Sequence, residues 1–123
     1  MATTVLIVDD HQSFRRAVRL VLEYEGYEVV GEAADGEEAL RVAGETSPNV
    51  VLLDVNMPGM DGIAALPHLR REAPDARILM LTAADEPDTQ QRAEEAGAHG
   101  FMRKPNDVLD LPGMIRERLA AAA

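Results

Sequence analysis

Short apolar runs alternate with helix-period segments five times along this chain. Val5-Leu6-Ile7-Val8, Val50-Val51-Leu52-Leu53 and Arg77-Ile78-Leu79-Met80-Leu81 are near-continuous aliphatic stretches. They are too short for helices and apolar on both faces, so they read as strands covered on both sides. Glu28-Val29-Val30-Gly31-Glu32-Ala33 mixes charge into the pattern, as an edge strand does. Gly100-Phe101-Met102-Arg103 reads as a short last strand. Between the first two runs, Phe14, Ala17, Val18, Val21 and Leu22 fall at the spacing of one helix face, and Gly26 stops that helix. Asp35 and Glu38 look like a capping box ahead of Ala39, Leu40 and Ala43. Ile63, Leu66 and Leu69 predict a third helix after Gly62, and Pro67 inside it should kink it. Pro87 and Gly97 bracket a fourth, in which Thr89, Ala93 and Ala96 are all that can pack. Pro112, Met114, Ile115 and Leu119 belong to a fifth, and Ala120 to Ala123 read as its frayed end or as a domain edge. This alternation predicts an α/β fold, a single doubly wound parallel sheet of five strands with five helices on both faces. Right-handed crossovers follow from strand twist.

Composition narrows the function classes. The 123 residues fit one domain, taken as 1–123. The core must be aliphatic, since only 3% of residues are aromatic and there is no Trp. The absence of Cys excludes disulfides and thiolate zinc sites. A net charge of -10 argues against direct nucleic-acid contact by this domain, because phosphates need basic partners. No apolar run approaches the roughly 20 residues of a membrane span. The N-terminus lacks a signal-peptide pattern, so a cytoplasmic location is expected. Neither G-x-G-x-x-G nor G-x-x-x-x-G-K-[ST] occurs, which weakens dinucleotide and P-loop readings.

The chemistry gathers where strands end. Asp9 and Asp10 close the first run, Asp54 the third, Thr82 the fourth and Lys104 the fifth. In an open parallel sheet, ligands bind just outside the carboxyl ends of the strands. Taken singly, each residue has a plain reading: Asp54 as a turn residue, Thr82 as a strand end, Lys104-Pro105 as a loop. Taken together, three carboxylates in one cleft repel each other and call for a cation. Oxygen ligands with open positions suit Mg²⁺, which keeps several waters and takes carboxylates plus a phosphate. Lys104 and Thr82 are phosphate-binding groups of a charged and a hydroxyl kind. His11, His68 and His99 are scattered without metal-ligand spacing and read as surface or loop residues, with His11 bordering the acidic pocket.

Over essentially its whole length the chain resembles the receiver domain of two-component response regulators, the CheY-like superfamily. The motifs are Asp9-Asp10, Asp54 with Met57-Pro58-Gly59-Met60-Asp61-Gly62, Thr82-Ala83 and Lys104-Pro105. Asp9-Asp10-His11, Val30-Gly31-Glu32-Ala33 and Leu53-Asp54-Val55-Asn56-Met57-Pro58-Gly59 resemble the LuxR/NarL-type branch. The resemblance implies a flavodoxin-like sheet of strand order 2-1-3-4-5. It implies that Asp54 accepts a phosphoryl group from a sensor histidine kinase, a phosphotransfer protein or a small phosphodonor. It assigns Mg²⁺ to Asp10, Asp54 and the Asn56 carbonyl, with Asp9 assisting. Lys104, Thr82 and the Ala83 N–H would hold phosphoryl oxygens, and Phe101 falls at the switch aromatic position. It further implies a cis Lys104-Pro105 bond, a switching surface of fourth helix, last strand and last helix, and homodimerisation as an option on phosphorylation. LuxR/NarL-type regulators usually continue into a helix-turn-helix effector.

Two other readings compete. A Mg²⁺-dependent phosphatase with an Asp nucleophile usually wants a second acid two residues on, where this chain has Asn56. A pseudo-receiver would be expected to lack at least one of Asp54, Thr82 and Lys104, and all three are present.

Overall fold

Successive residues of an extended chain point to opposite faces, and each apolar strand here feeds two cores at once. Val5, Ile7, Val50, Leu52, Leu79 and Leu81 face one side with Val18, Leu22, Leu111 and Ile115. Leu6, Val8, Val51, Leu53, Ile78 and Met80 face the other with Ala39, Ala43, Ala65, Leu66, Leu69 and Ala93. The computed structural model describes residues 2–83 and 88–121. Its elements in order are β1 (Thr4–Val8), α1 (Gln12–Tyr24), β2 (Glu28–Ala33), α2 (Gly36–Thr46), β3 (Val50–Asp54), α3 (Gly62–Glu72), β4 (Arg77–Thr82), α4 (Thr89–Ala96), β5 (Gly100–Arg103), a 3-10 turn (Val108–Asp110) and α5 (Leu111–Ala121). The sheet order is β2-β1-β3-β4-β5, and every pairing is parallel. Helices α1 and α5 cover one face, and α2, α3 and α4 the other. The expected five-stranded doubly wound sheet is therefore the observed one, with β2 at an edge.

Parallel strands share one direction, so β1, β3, β4 and β5 all end on the same sheet edge. That is what brings Asp9, Asp54, Thr82 and Lys104 into one neighbourhood. Local chemistry sets the helix starts. Asp35 caps α2 by accepting the Glu38 N–H at 2.8 Å, and Asp61 caps α3 by accepting the Ala64 N–H at 2.8 Å. The capping box is modified: Glu38 reaches back to the Ala34 N–H, one residue before the cap. Gly26 and Gly97 adopt the positive φ of helix ends, as their positions suggest. Pro67 lies in the interior of α3, which continues to Glu72. It is exposed, so water can satisfy the carbonyl that loses its partner.

One expectation is corrected. The structure holds no cis peptide among the described residues, so Lys104-Pro105 is trans. Trans is the intrinsically favoured X-Pro isomer, by about 0.5–1 kcal/mol. The readings placed on Ala84, Pro87, Ala122 and Ala123 lie outside the described residues.

Candidate functional site

Asp54 is the last residue of β3 and is buried, although Asn56, two residues on, is exposed. Gly62 makes this possible. Its N–H donates to the Val55 carbonyl at 2.9 Å, drawing the start of α3 onto the strand end. A Cβ at Gly62 would stand 2.1 Å from the Asp54 carbonyl oxygen, an approach no other residue tolerates. Between them the loop turns at Gly59, whose φ is +74°.

Asp9 is also buried, with 2% of its side chain exposed, whereas Asp10 keeps 30%. The two neighbours therefore differ in role. Asp9 Oδ1 accepts the His11 N–H at 2.8 Å, and Asp9 Oδ2 pairs with Lys104 Nζ at 2.6 Å. Arg15 donates to the Asp9 carbonyl and pairs with Glu32 at 3.1 Å, bracing the end of β1 from α1. Lys104 Nζ lies 3.7 Å from Asp54 Oδ2 and 4.5 Å from the centroid of the Phe14 ring. Its ammonium thus sits between two acids and an aromatic face, a favourable place for a cation.

Asp54 is held weakly by comparison. Its Oδ1 takes the Asn56 N–H at 3.4 Å. Burial is the main force raising its pKa, to about 6, and the charge of Asp9 adds to it. Lys104 and the Asn56 N–H pull the other way, and Asp10 contributes a further rise. Asp54 is thus a buried carboxylate whose partner Lys104 is 3.7 Å away and only partly offsets burial and the like charge of Asp9. Ligand atoms of Asp9, Asp10, His11 and Asp54 all lie within 4.8 Å of one another. A donor set dominated by carboxylate oxygen fits a hard divalent ion. Beside it, Asp10, Asp35, Gly36, Glu37, Pro58 and Met60 line an open cleft of about 560 Å³.

Thr82 ends β4, paired in register with Arg103, and Phe101 lies opposite Met80. Strand alternation puts Thr82 and Phe101 on the same face of the sheet, where Phe101 packs partly buried against the core beneath α2, α3 and α4. Lys104 N–H donates to the Thr82 carbonyl at 2.8 Å, tying the ends of β4 and β5 together. Asp9, Asp10, Asp54 and Lys104 are thus assembled by contact, and Thr82 by its place on the same edge.

Residues 5–116 match the model of the response regulator receiver domain. The chain belongs to the response regulator receiver domain family. The receiver is 42% identical over 120 residues to the nitrate/nitrite response regulator protein NarP of Escherichia coli, covering 97% of this chain and 54% of that protein. It is 39% identical over 117 residues to the response regulator GacA of Pseudomonas aeruginosa, covering 94% and 55%. The chain spans about half the length of the curated relatives it matches. Among solved structures, a LuxR-family two-component response regulator from Aurantimonas sp. SI85-9A1 superposes with a TM-score of 0.88 at 38% identity, over 98% of this chain and 87% of that one. The likeness to the LuxR/NarL-type branch read from the motifs agrees with these relatives, and receivers of this family serve phosphorylation-activated two-component signalling.

Two participants, Phe14 and Arg15, were not legible as such, and a third was legible in part. Phe14 reads as a core residue of α1, yet its ring lies under Lys104. Arg15, which no motif in the sequence singles out, braces Asp9. His11 reads as a loop residue bordering the acidic pocket, and its Nδ1 stands 3.2 Å from Asp9 Oδ1 and 3.1 Å from Asp10 Oδ1. Its adjacency to two acids was the available signal.

Proposed function

We propose that this receiver takes a phosphoryl group on Asp54 from a sensor histidine kinase or phosphotransfer protein. The observation that carries the reading is Asp54 itself, a buried carboxylate at a strand end between Lys104 and the pair Asp9 and Asp10. With a pKa near 6 it is mostly ionised at pH 7, as a nucleophile must be. A carboxylate oxygen of Asp54 attacks phosphorus, the donor's N–P bond breaks, and the imidazole leaves with a proton. The product is an acyl phosphate. Water attack on it returns the carboxylate and inorganic phosphate, so the only turnover is of the domain's own modification.

Asp10, Asp54 and the Asn56 carbonyl would hold Mg²⁺, with Asp9 assisting. When bound, Mg²⁺ neutralises the acids and the transferring group, which lets two anions meet. Lys104 is poised to exchange its contacts for a phosphoryl oxygen, and Thr82 and the Ala83 N–H would take others. The new group adds about -1.5 to -2 charges. Thr82, drawn toward it, frees space for Phe101 on the same face. Helix α4 is anchored through buried Thr89 and Ala93, so little apolar packing resists its displacement. The face of α4, β5 and α5 then becomes the output surface, offered to an effector or to a second copy. The setting is the cytoplasm.

Incubation with acetyl phosphate and Mg²⁺ followed by intact-mass measurement tests this. One phosphoryl adduct is expected on the wild type and none on Asp54→Asn. An adduct that persists on Asp54→Asn refutes the assignment. Steady release of phosphate from external phosphoesters would instead indicate a phosphatase.

A further inference from the structure

We propose that Phe14 is a positioning residue for phosphoryl transfer: the face of its ring holds the Lys104 ammonium between Asp9 and Asp54 and lets it pass from one to the other. The inference rests on the reading of Asp54 as the phosphoryl acceptor and goes beyond it. Lys104 is the only lysine of the chain. It leaves the end of β5 and reaches Asp9 at the end of β1, although β3 and β4 lie between those strands. Only 15% of its side chain is exposed. A cation so far removed from water needs compensating partners. Asp9 supplies one at 2.6 Å and Asp54 a second at 3.7 Å. The Phe14 ring supplies a third, its centroid 4.5 Å from Nζ. That lies well inside the range of about 6 Å over which a ring face attracts a cation.

The fold builds this contact. Phe14 sits in the first turn of α1, on the face that carries Val18 and Leu22 into the core. It packs partly buried against that core, so its neighbours orient the ring. The kind of partner matters. A third carboxylate would bind the ammonium by a hydrogen bond and compete with the phosphoryl oxygens. An aliphatic side chain would leave the cation facing hydrocarbon without compensation. A ring attracts without a directional bond, so its attraction persists while Nζ gives up Asp9 and takes a phosphoryl oxygen. It therefore stabilises the ammonium in passage, which is where a contribution to rate has to act.

Two measurements test this. Lysine labelled with ¹³C at Cε gives a single methylene resonance, because the chain has no other lysine. In the wild type its protons should be shifted upfield by the ring current, and Phe14→Leu should return them to the position of free lysine. Separately, phenylalanine carrying one, two or three fluorines is placed at residue 14 by amber suppression. Fluorination keeps the shape of the ring and weakens its negative face. Modification by acetyl phosphate and Mg²⁺, followed by intact mass, should slow at each step, by about fivefold over the series. Rates that stay level across the series overturn the inference, as does a lysine resonance that Phe14→Leu leaves in place. A slow Phe14→Leu protein beside a level fluorinated series assigns the ring to packing alone and also overturns it. A wild type that takes up no phosphoryl group defeats the reading of Asp54, and the role of Phe14 with it.

Discussion

Lys104 Nζ sits 2.6 Å from Asp9 Oδ2 and 3.7 Å from Asp54 Oδ2. The cation is therefore engaged mainly with Asp9, and the carboxylate at the end of β3 is left with its weaker attention. This pair joins the ends of β1 and β5, on opposite flanks of the two central strands. Removing Lys104 leaves two buried acids facing each other. Lys104→Met should destabilise the fold by about 3 kcal/mol, the low end for breaking a buried pair. Urea unfolding measures it, and adding Asp9→Asn should recover part of the loss. A loss under about 1 kcal/mol would mark the pair as an ordinary surface bridge.

Stability should fall as pH rises through the titration of Asp54. Its pKa is about 6 in the fold against 3.8 for the ordinary group. Between those values the unfolded chain gives up a proton that the folded chain keeps, so rising pH favours unfolding. Asp54→Asn should therefore stabilise the protein at pH 7, on the order of 1–2 kcal/mol after discounting for solvent screening. The gain should vanish below about pH 4, where both states are protonated. Thermal melts of both proteins across pH 3.5 to about 7.5 check the sign; a gain that grows toward low pH contradicts it.

Mg²⁺ should raise the melting temperature through Asp10 and Asp54. An ion that binds the native state alone adds about 2.7 kcal/mol at a hundredfold excess over its dissociation constant. Asp10→Ala should remove most of that increment. Identical melts in EDTA and in excess Mg²⁺ would show that no metal binds.

A phosphoryl mimic of the beryllofluoride type should change amide hydrogen exchange most across Asp88 to Gly97 and around Phe101. Helix α4 buries Thr89 and Ala93, whereas α3 buries Ala65, Leu66 and Leu69. The first has less to hold it. Thr82→Ala should uncouple the response while Asp54 stays modifiable. Exchange changes confined to α1 and α2 would place the switch elsewhere.

Gly62→Ala should be costly because of a single atom. The added carbon would fall 2.1 Å from the Asp54 carbonyl oxygen, and backbone cannot yield as a side chain can. A loss of about 2–3 kcal/mol is expected from such overpacking, with slower modification of Asp54 as the strand end shifts. Gly59→Ala is the comparison. Open space surrounds that position, so the positive φ alone acts there.

The sequence by itself determined the architecture and the edge on which the chemistry lies. Aliphatic runs such as Val50 to Leu53 have to be covered on both faces, and alternating helices supply the cover. Parallel strands share a direction, so Asp9, Asp54, Thr82 and Lys104 had to end together once the alternation was recognised. Tertiary structure alone decided how those groups divide the work. Asp9 and Asp10 are chain neighbours, yet one is buried against Lys104 and the other faces the cleft. Adjacent residues of one loop point apart, and which of them meets Lys104 depends on how closely β5 approaches. The approach of His11 to the acids, the Phe14 ring beneath Lys104 and the Gly62 contact with Asp54 have the same origin. Each is a distance of a few ångströms set by how a loop folds or, for Phe14 and Lys104, by packing between elements far apart in the chain, which the pattern of residue types along the chain does not encode.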